Sequence, residues 1–256
     1  MNFRVIISKI IFRLNNLFLL NKFGKKNILF KGNKFLAHRS CKIKIHGSVS
    51  IKHSRIFLSE NSSITIDKDS IIENADIFVN GHLSIGAESI INNGFSLRNS
   101  LINIEKGSLK IGSRNRIQNS FMIRFNGNVQ IGNANNINTG SDIRCDEEVH
   151  IGSYNQISYN VLMWDTNTHN IYSATNRRAL TDNYFPIFGY EYEKPQTKPI
   201  TIGDDNWISR DVTILKGTEI HDKCIVGYGT IISNRIISSS STVVPKIELN
   251  IFSNNL

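Results

Sequence analysis

Between Pro199 and Gly229 the chain reads PITIGDDNWISRDVTILKGTEIHDKCIVGYG, with an aliphatic residue at every sixth position: Ile202, Ile208, Ile214, Ile220, Val226 and, just beyond, Ile232. Three sixes make eighteen residues. That suits one triangular coil of three short strands, each turning one aliphatic side chain inward onto its equivalents above and below. Glycine, asparagine, aspartate and serine fall between the aliphatics, where corners need tight turns and positive φ. A β-sandwich of alternating strands would not hold a six-residue period over six repeats. A right-handed β-helix, with its longer coils, does not fit the sixes either.

Working back from this stretch, a related phrase recurs: IKIHGS from Ile43, ITIDKD from Ile64, LSIGAE from Leu83, LKIGSR from Leu109, VQIGNA from Val129 and VHIGSY from Val149. Its second aliphatic falls at Ile45, Ile66, Ile85, Ile111, Ile131, Ile151 and Ile202, in steps of 21, 19, 26, 20, 20 and 51. Steps near 20 are single turns of a solenoid, and the 26 is a turn with a small insertion. The expected fold is therefore an all-β solenoid, a left-handed parallel β-helix over residues 26–250 with one long inserted loop at about 164–199. Each coil buries its face against its neighbours, so stability accumulates coil by coil.

Composition bounds the partners. With 40% hydrophobic residues and only four prolines, the chain reads as globular. Thirty Lys and Arg against 21 Asp and Glu give a formal charge of +9, which favours an anionic membrane surface, acidic polysaccharide or phosphorylated cofactor, or simply solubility. No Lys/Arg run or nucleic-acid recognition pattern appears, so no nucleic acid is expected. Cys41, Cys145 and Cys224 form no CxxC pair, so neither a metal site nor a disulfide framework is expected, and reduced thiols fit a cytoplasmic protein.

Residues 1–25 read as an N-terminal amphipathic helix. Phe3, Ile6, Ile7, Ile10, Leu14, Leu17 and Phe18 follow spacings of mostly three and four, and Arg4, Lys9 and Arg13 interrupt every apolar run. The segment is too short to span a bilayer, and no small-residue cleavage site follows. It either caps the open end of the solenoid or rests on the inner face of the membrane as a peripheral contact. Residues 251–256 form a C-terminal tail.

Three motifs carry a family resemblance: Trp207-Ile208-Ser209 after ITIGDDN, the turn Ile214-Leu215-Lys216-Gly217, and Trp164-Asp165-Thr166-Asn167-Thr168-His169 upstream. Together they resemble the hexapeptide-repeat acyltransferases, most of all the bacterial polysaccharide and sialic-acid O-acetyltransferases, with weaker repeats extending the likeness back to about residue 43. The resemblance implies acetyl-CoA as co-substrate, a glycan acceptor, and a homotrimer whose active sites lie between neighbouring subunits. It also places Ser209, Gly227, Tyr228 and Gly229 in the cofactor groove. The end of the chain departs from the family's pattern: Tyr228 stands where a small residue is usual, Ser238 to Ser241 break the hexad, no G-N-P-A phrase follows, and Ser209 replaces a glycine.

The 51-residue step leaves about 33 residues beyond one coil, and insertions of that size are usually functional. This one holds Arg177, Arg178, Tyr172, Tyr184, Phe185, Phe188, Tyr190 and Tyr192. Aromatic faces stack on sugar rings and arginine recognises acidic groups, so Trp164, Tyr184 and Arg177 are candidate acceptor-binding residues. Alternatively the aromatics anchor the loop to the solenoid or to a second subunit. Among seven histidines, His169 sits at the motif position, at the base of the insertion and four residues after Asp165.

Moving an acetyl group from a thioester to an alcohol requires removal of the alcohol's proton, and neutral imidazole suits that task. His169 is thus the candidate general base, with Asp165 or a backbone carbonyl on its other ring nitrogen. Trp207 walls the acceptor pocket or braces His169, its plainer reading being a corner packing residue. Lys216 or Lys246 would meet the coenzyme phosphates. Alternatives are a small-molecule acetyltransferase of the xenobiotic type and a non-catalytic solenoid binding module.

Overall fold

A computed structural model describes residues 28–31, 33–92, 100–186, 188 and 192–248. The helix expected at residues 1–25, the tail at 251–256 and Tyr190 lie outside them. Among the described residues, 28 short strands form three sheets in which each strand pairs with the strand three places on in the chain. Sheet A runs from β1 (Ile28–Lys31) to β28 (Thr242–Val243), sheet B from β2 (Lys34–Ala37) to β26 (Ile231–Ser233), and sheet C from β3 (Lys42–Ile45) to β27 (Ile236–Ile237). All pairings between these strands are parallel, as the register Val129↔Val149↔Ile200 illustrates. This is the three-sided parallel β-helix expected from the hexads.

The sixes are inward positions. Ile202, Ile208, Ile214, Ile220 and Val226 are fully buried and Ile232 nearly so, at 4% exposure. They belong to one continuous, mainly aliphatic column that runs, among the described residues, from Phe35. Each such side chain contributes about 1.5–3 kcal/mol relative to exposure. Where the hexads are strict a coil takes 18 residues, as in Ile208↔Val226, and further back it takes 20, as in Ile117↔Ile137.

Many corners carry the expected residues, with Asn61, Asp69, Asn160, Asp205, Asp211, Asn234 and Gly217 at positive φ, but others do not. Arg114, Ala134, Tyr154 and Lys223 all take positive φ, between 57° and 61°. The reason is stacking. Ala134 donates its N–H to Ser113 O at 3.0 Å, Tyr154 to Asn133 O at 2.9 Å and Lys223 to Asp204 O at 2.9 Å, so each corner is held by the preceding coil. A buried asparagine ladder runs beside them. Asn135 Oδ1 accepts the backbone N–H of Asn155, and Asn155 Oδ1 accepts that of Asn206, each at 2.9 Å. The side-chain amides of Asn135 and Asn155 donate to the carbonyls of Gly152 and Gly203.

The long insertion leaves the solenoid after β20 (Leu162–Trp164) and returns at β21 (Ile200–Ile202), at the corner between sheets B and C. A two-strand neck closes it: Thr166 bridges Thr197 in antiparallel fashion, Lys198 N–H donates to Asp165 O, and Asn167 N–H donates to Gln196 O. The register continues undisturbed beneath, with Ile151 opposite Ile202. Expected as a loop, the insertion in fact carries an 11-residue helix, α1 (Ala174–Tyr184), N-capped by Ser173 accepting from Asn176 N–H at 3.2 Å. None of its residues is buried, so α1 stands off the solenoid wall.

Candidate active site

The neck of the insertion sets the site. Asp165, the first residue past β20, is fully buried. Its Oδ1 accepts the backbone N–H of Asp146, and its Oδ2 those of Glu147 and Glu148, each at 2.8 Å. Burial pushes this carboxyl above its ordinary pKa, against the pull of the N–H bonds from Asp146 and Glu147. The carboxylate therefore organises the corner of the coil below rather than the imidazole. Replacing Asp165 by Asn leaves one amide oxygen for three N–H donors, and each stranded buried donor costs about 1–3 kcal/mol. We expect Asp165→Asn to lose about 2–4 kcal/mol of stability. Unchanged denaturation with collapsed turnover would instead tie this carboxylate to the histidine.

His169 takes the other option open from sequence, a backbone carbonyl: its Nδ1 lies 3.0 Å from Asn170 O. A carbonyl accepts only from a protonated nitrogen, so in the neutral ring this contact places the hydrogen on Nδ1 and the lone pair on Nε2. The ring is exposed. Past it, Tyr172 OH donates to Glu193 Oε2 at 2.7 Å, tying the outgoing chain to the returning one. Trp164, on the outer face of sheet B, donates its indole N–H to Asp142 Oδ2 at 2.8 Å and carries the Arg144 guanidinium over its ring at 5.1 Å. On the arm, Tyr184 lies 6.1 Å from Tyr192 between ring centroids, and both are exposed. Arg177 lines a hollow of about 370 Å³ with Arg178, Thr181, Asp182 and Phe188.

The remaining candidates stand elsewhere. Trp207 lies on sheet A, opposite Gln156 and Ile225, and is 57% exposed. Within one chain it neither braces nor faces His169, because His169 occupies the corner between B and C. Ser209, Gly227, Tyr228 and Gly229 follow on the corner between A and B. Ser209 N–H donates to Val226 O and Gly227 N–H to Val243 O. Gly229 has φ +66°, and a side chain there would meet nothing within 4 Å. Lys246 leaves this same corner one coil later and pairs with Glu248 at 3.2 Å. Lys216 is on the other corner, the one that bears His169.

The two corners flank sheet B, whose outer face carries a half-buried, largely apolar row in register: Leu36, Phe57, Phe78, Met122, Trp164 and Leu215, interrupted by Asn103 and Arg144. Phe57 and Phe78 stack at 5.0 Å. Cys145 and Cys224 are buried in the core, and burial together with Asp165 pushes the Cys145 thiol far up, so it is no nucleophile.

Sequence reasoning passed over three residues beside the neck, the buried Asp146 and Thr166 and the half-buried Arg124. Their signal was present in the coil period: Ile123 opposes Cys145 and Arg144 opposes Trp164, so the three occupy equivalent places on consecutive corners.

Comparison with known proteins bears on the strict hexads first. Residues 199–234 match the family described as bacterial transferase hexapeptide (six repeats). The match covers the strict-hexad stretch alone, so that stretch is hexapeptide repeat. No curated protein matches it. Among solved structures, the polySia-specific acetyltransferase NeuO aligns at 17% identity over 90% of each chain, with a TM-score of 0.49. The polysialic acid O-acetyltransferase OatWY aligns at 15% identity over 87% of this chain and 92% of its own, with a TM-score of 0.33. A hexapeptide-repeat-containing acetyltransferase from Vibrio cholerae O1 biovar eltor, complexed with acetyl coenzyme A, aligns at 22% identity over 49% and 56%, with a TM-score of 0.34.

Proposed function

We propose that this protein is an acetyl-CoA-dependent O-acetyltransferase that modifies a hydroxyl of a surface glycan, with His169 as general base. The observation that carries the reading is the imidazole at the neck of the long insertion, its Nδ1 on the Asn170 carbonyl, in a chain bearing the hexapeptide repeats of bacterial transferases. In the reaction, Nε2 takes the proton of the acceptor hydroxyl as its oxygen bonds to the thioester carbonyl carbon. The oxyanion so formed is met by a backbone N–H, the C–S bond breaks as the carbonyl re-forms, and the sulfur leaves as the coenzyme's thiol with the proton returned from the imidazolium. No acyl-enzyme is required.

Exposed Phe185, Phe188, Tyr184 and Tyr192 on the arm favour a sugar acceptor over a small aromatic drug-like one. The apolar row of sheet B supports assembly as a homotrimer, since packing on that face would bring the His169 corner of one chain against the Ser209–Gly229 corner of its neighbour. The supply of acetyl-CoA and the reduced thiols make the cytoplasm the compartment of this reading. Incubation of the purified protein with acetyl-CoA and a panel of neutral and acidic glycans tests it. Release of free coenzyme with a matching mass increase of about 42 Da on the acceptor, one acetyl for one hydrogen, is expected. Release with no glycan but with small amino or hydroxy compounds would favour the xenobiotic type, and no release at all the binding module.

A further inference from the structure

The residue before the histidine is in an unfavourable conformation. Thr168 has φ +69°, costly for a β-branched side chain and kept only where the surroundings enforce it. What enforces it is a buried relay. Arg124, with a side chain 12% exposed, holds the wholly buried Asp146 carboxylate with two hydrogen bonds, Nε to Oδ1 at 3.0 Å and Nη2 to Oδ2 at 2.7 Å. The same Nη2 donates to the Thr168 carbonyl at 3.3 Å. Asp146 Oδ2 also accepts the Thr166 hydroxyl at 2.7 Å, and that hydroxyl accepts the Thr168 N–H at 3.0 Å. Both backbone polar groups of Thr168 are thus held through one carboxylate, one by way of a guanidinium and the other by way of a hydroxyl.

The Thr168 carbonyl belongs to the peptide plane that leads into His169. From this geometry we infer that Arg124, Asp146 and Thr166 are positioning residues for His169: the relay fixes the backbone that aims the imidazole and keeps its Nδ1 on the Asn170 carbonyl. A buried ion pair retained only for stability is poorly explained, because a well-packed apolar substitute is often as stable. A pair whose second task is to hold a strained backbone beside the base has a reason to be there. The inference rests on the function proposed above, but its structural half is testable without any substrate.

Thr166→Val tests it most cleanly, since it keeps shape and the Arg124–Asp146 pair and removes only the hydroxyl. We expect turnover to fall about 10- to 100-fold while the KM for acetyl-CoA stays within about twofold, the cost of a base misplaced by a fraction of an ångström to one ångström. Thr166→Ser, which restores the hydroxyl, should recover most of the rate. In long-range ¹⁵N spectra of histidine-labelled protein, His169 in the native chain should carry its hydrogen on Nδ1, and Thr166→Val should show a mixture of tautomers. Should Thr166→Val not fold, Arg124→Lys serves instead: one ammonium cannot reproduce the fork to both Asp146 and Thr168, so rate and tautomer should shift in the same sense. Native turnover and an unchanged tautomer in either folded variant would overturn the inference. If no acceptor is turned over even by the native protein, the proposed function fails, while the tautomer measurement still decides the positioning role.

Discussion

His169→Ala is expected to lower acetyl transfer by about 10²–10⁴-fold, the usual worth of a positioned general base. The loss should appear in kcat more than in the KM for acetyl-CoA, because the imidazole acts on the acceptor's proton as the new C–O bond forms. The fold should be untouched. The ring is exposed at the neck, so alanine there opens no cavity in the aliphatic core. Circular dichroism and the thermal midpoint should match those of the native chain. Near-native turnover by a folded His169→Ala protein would remove the mechanism and leave the hexapeptide solenoid without its assigned base.

The second large effect concerns how many chains make one site. Within a chain, His169 and Lys216 stand on one edge of sheet B, while Ser209, Gly227, Tyr228, Gly229 and Lys246 stand on the other, with Trp207 beyond them on sheet A. If coenzyme and base belong to different subunits, two inactive variants should rescue each other. His169→Ala removes the base, and Ser209→Trp fills the opposite corner. Each alone should be nearly inactive. Co-expressed in equal amounts and mixed at random in a three-fold ring, about a quarter of the sites would combine an intact corner of each kind, so about a quarter of native activity should return. A mixture no more active than its components would show that no site is shared in this way, and the trimer reading would go with it.

The parts of the molecule differ in how openly the sequence declares them. The aliphatic sixes from Ile202 to Ile232 are legible because the inward position of every coil has the same surroundings and admits few residue types. The corners are legible only in part. Arg114, Ala134 and Tyr154 take a conformation that their identities do not favour, since the preceding coil imposes it through the backbone. Helix α1 was hidden among aromatics and arginines that drew attention to recognition, although Ser173 before it and Pro186 after it bracket the helix-forming Arg177-Arg178-Ala179-Leu180. At the site, His169 stood out by its place at the base of the insertion. The task of Asp165 did not, because four residues of sequence say nothing about which way a carboxylate turns. Arg124, Asp146 and Thr166 become visible only when the chain is written coil above coil.

The neck between Thr166 and Thr197 has a consequence for how such a protein can change. Strand register passes straight beneath it, with Val149 still facing Ile200, so the rod is indifferent to what hangs from the opening. The arm is in effect a cassette. Lengthening it, swapping its aromatics or grafting another in its place should leave every rung of the scaffold that carries it undisturbed.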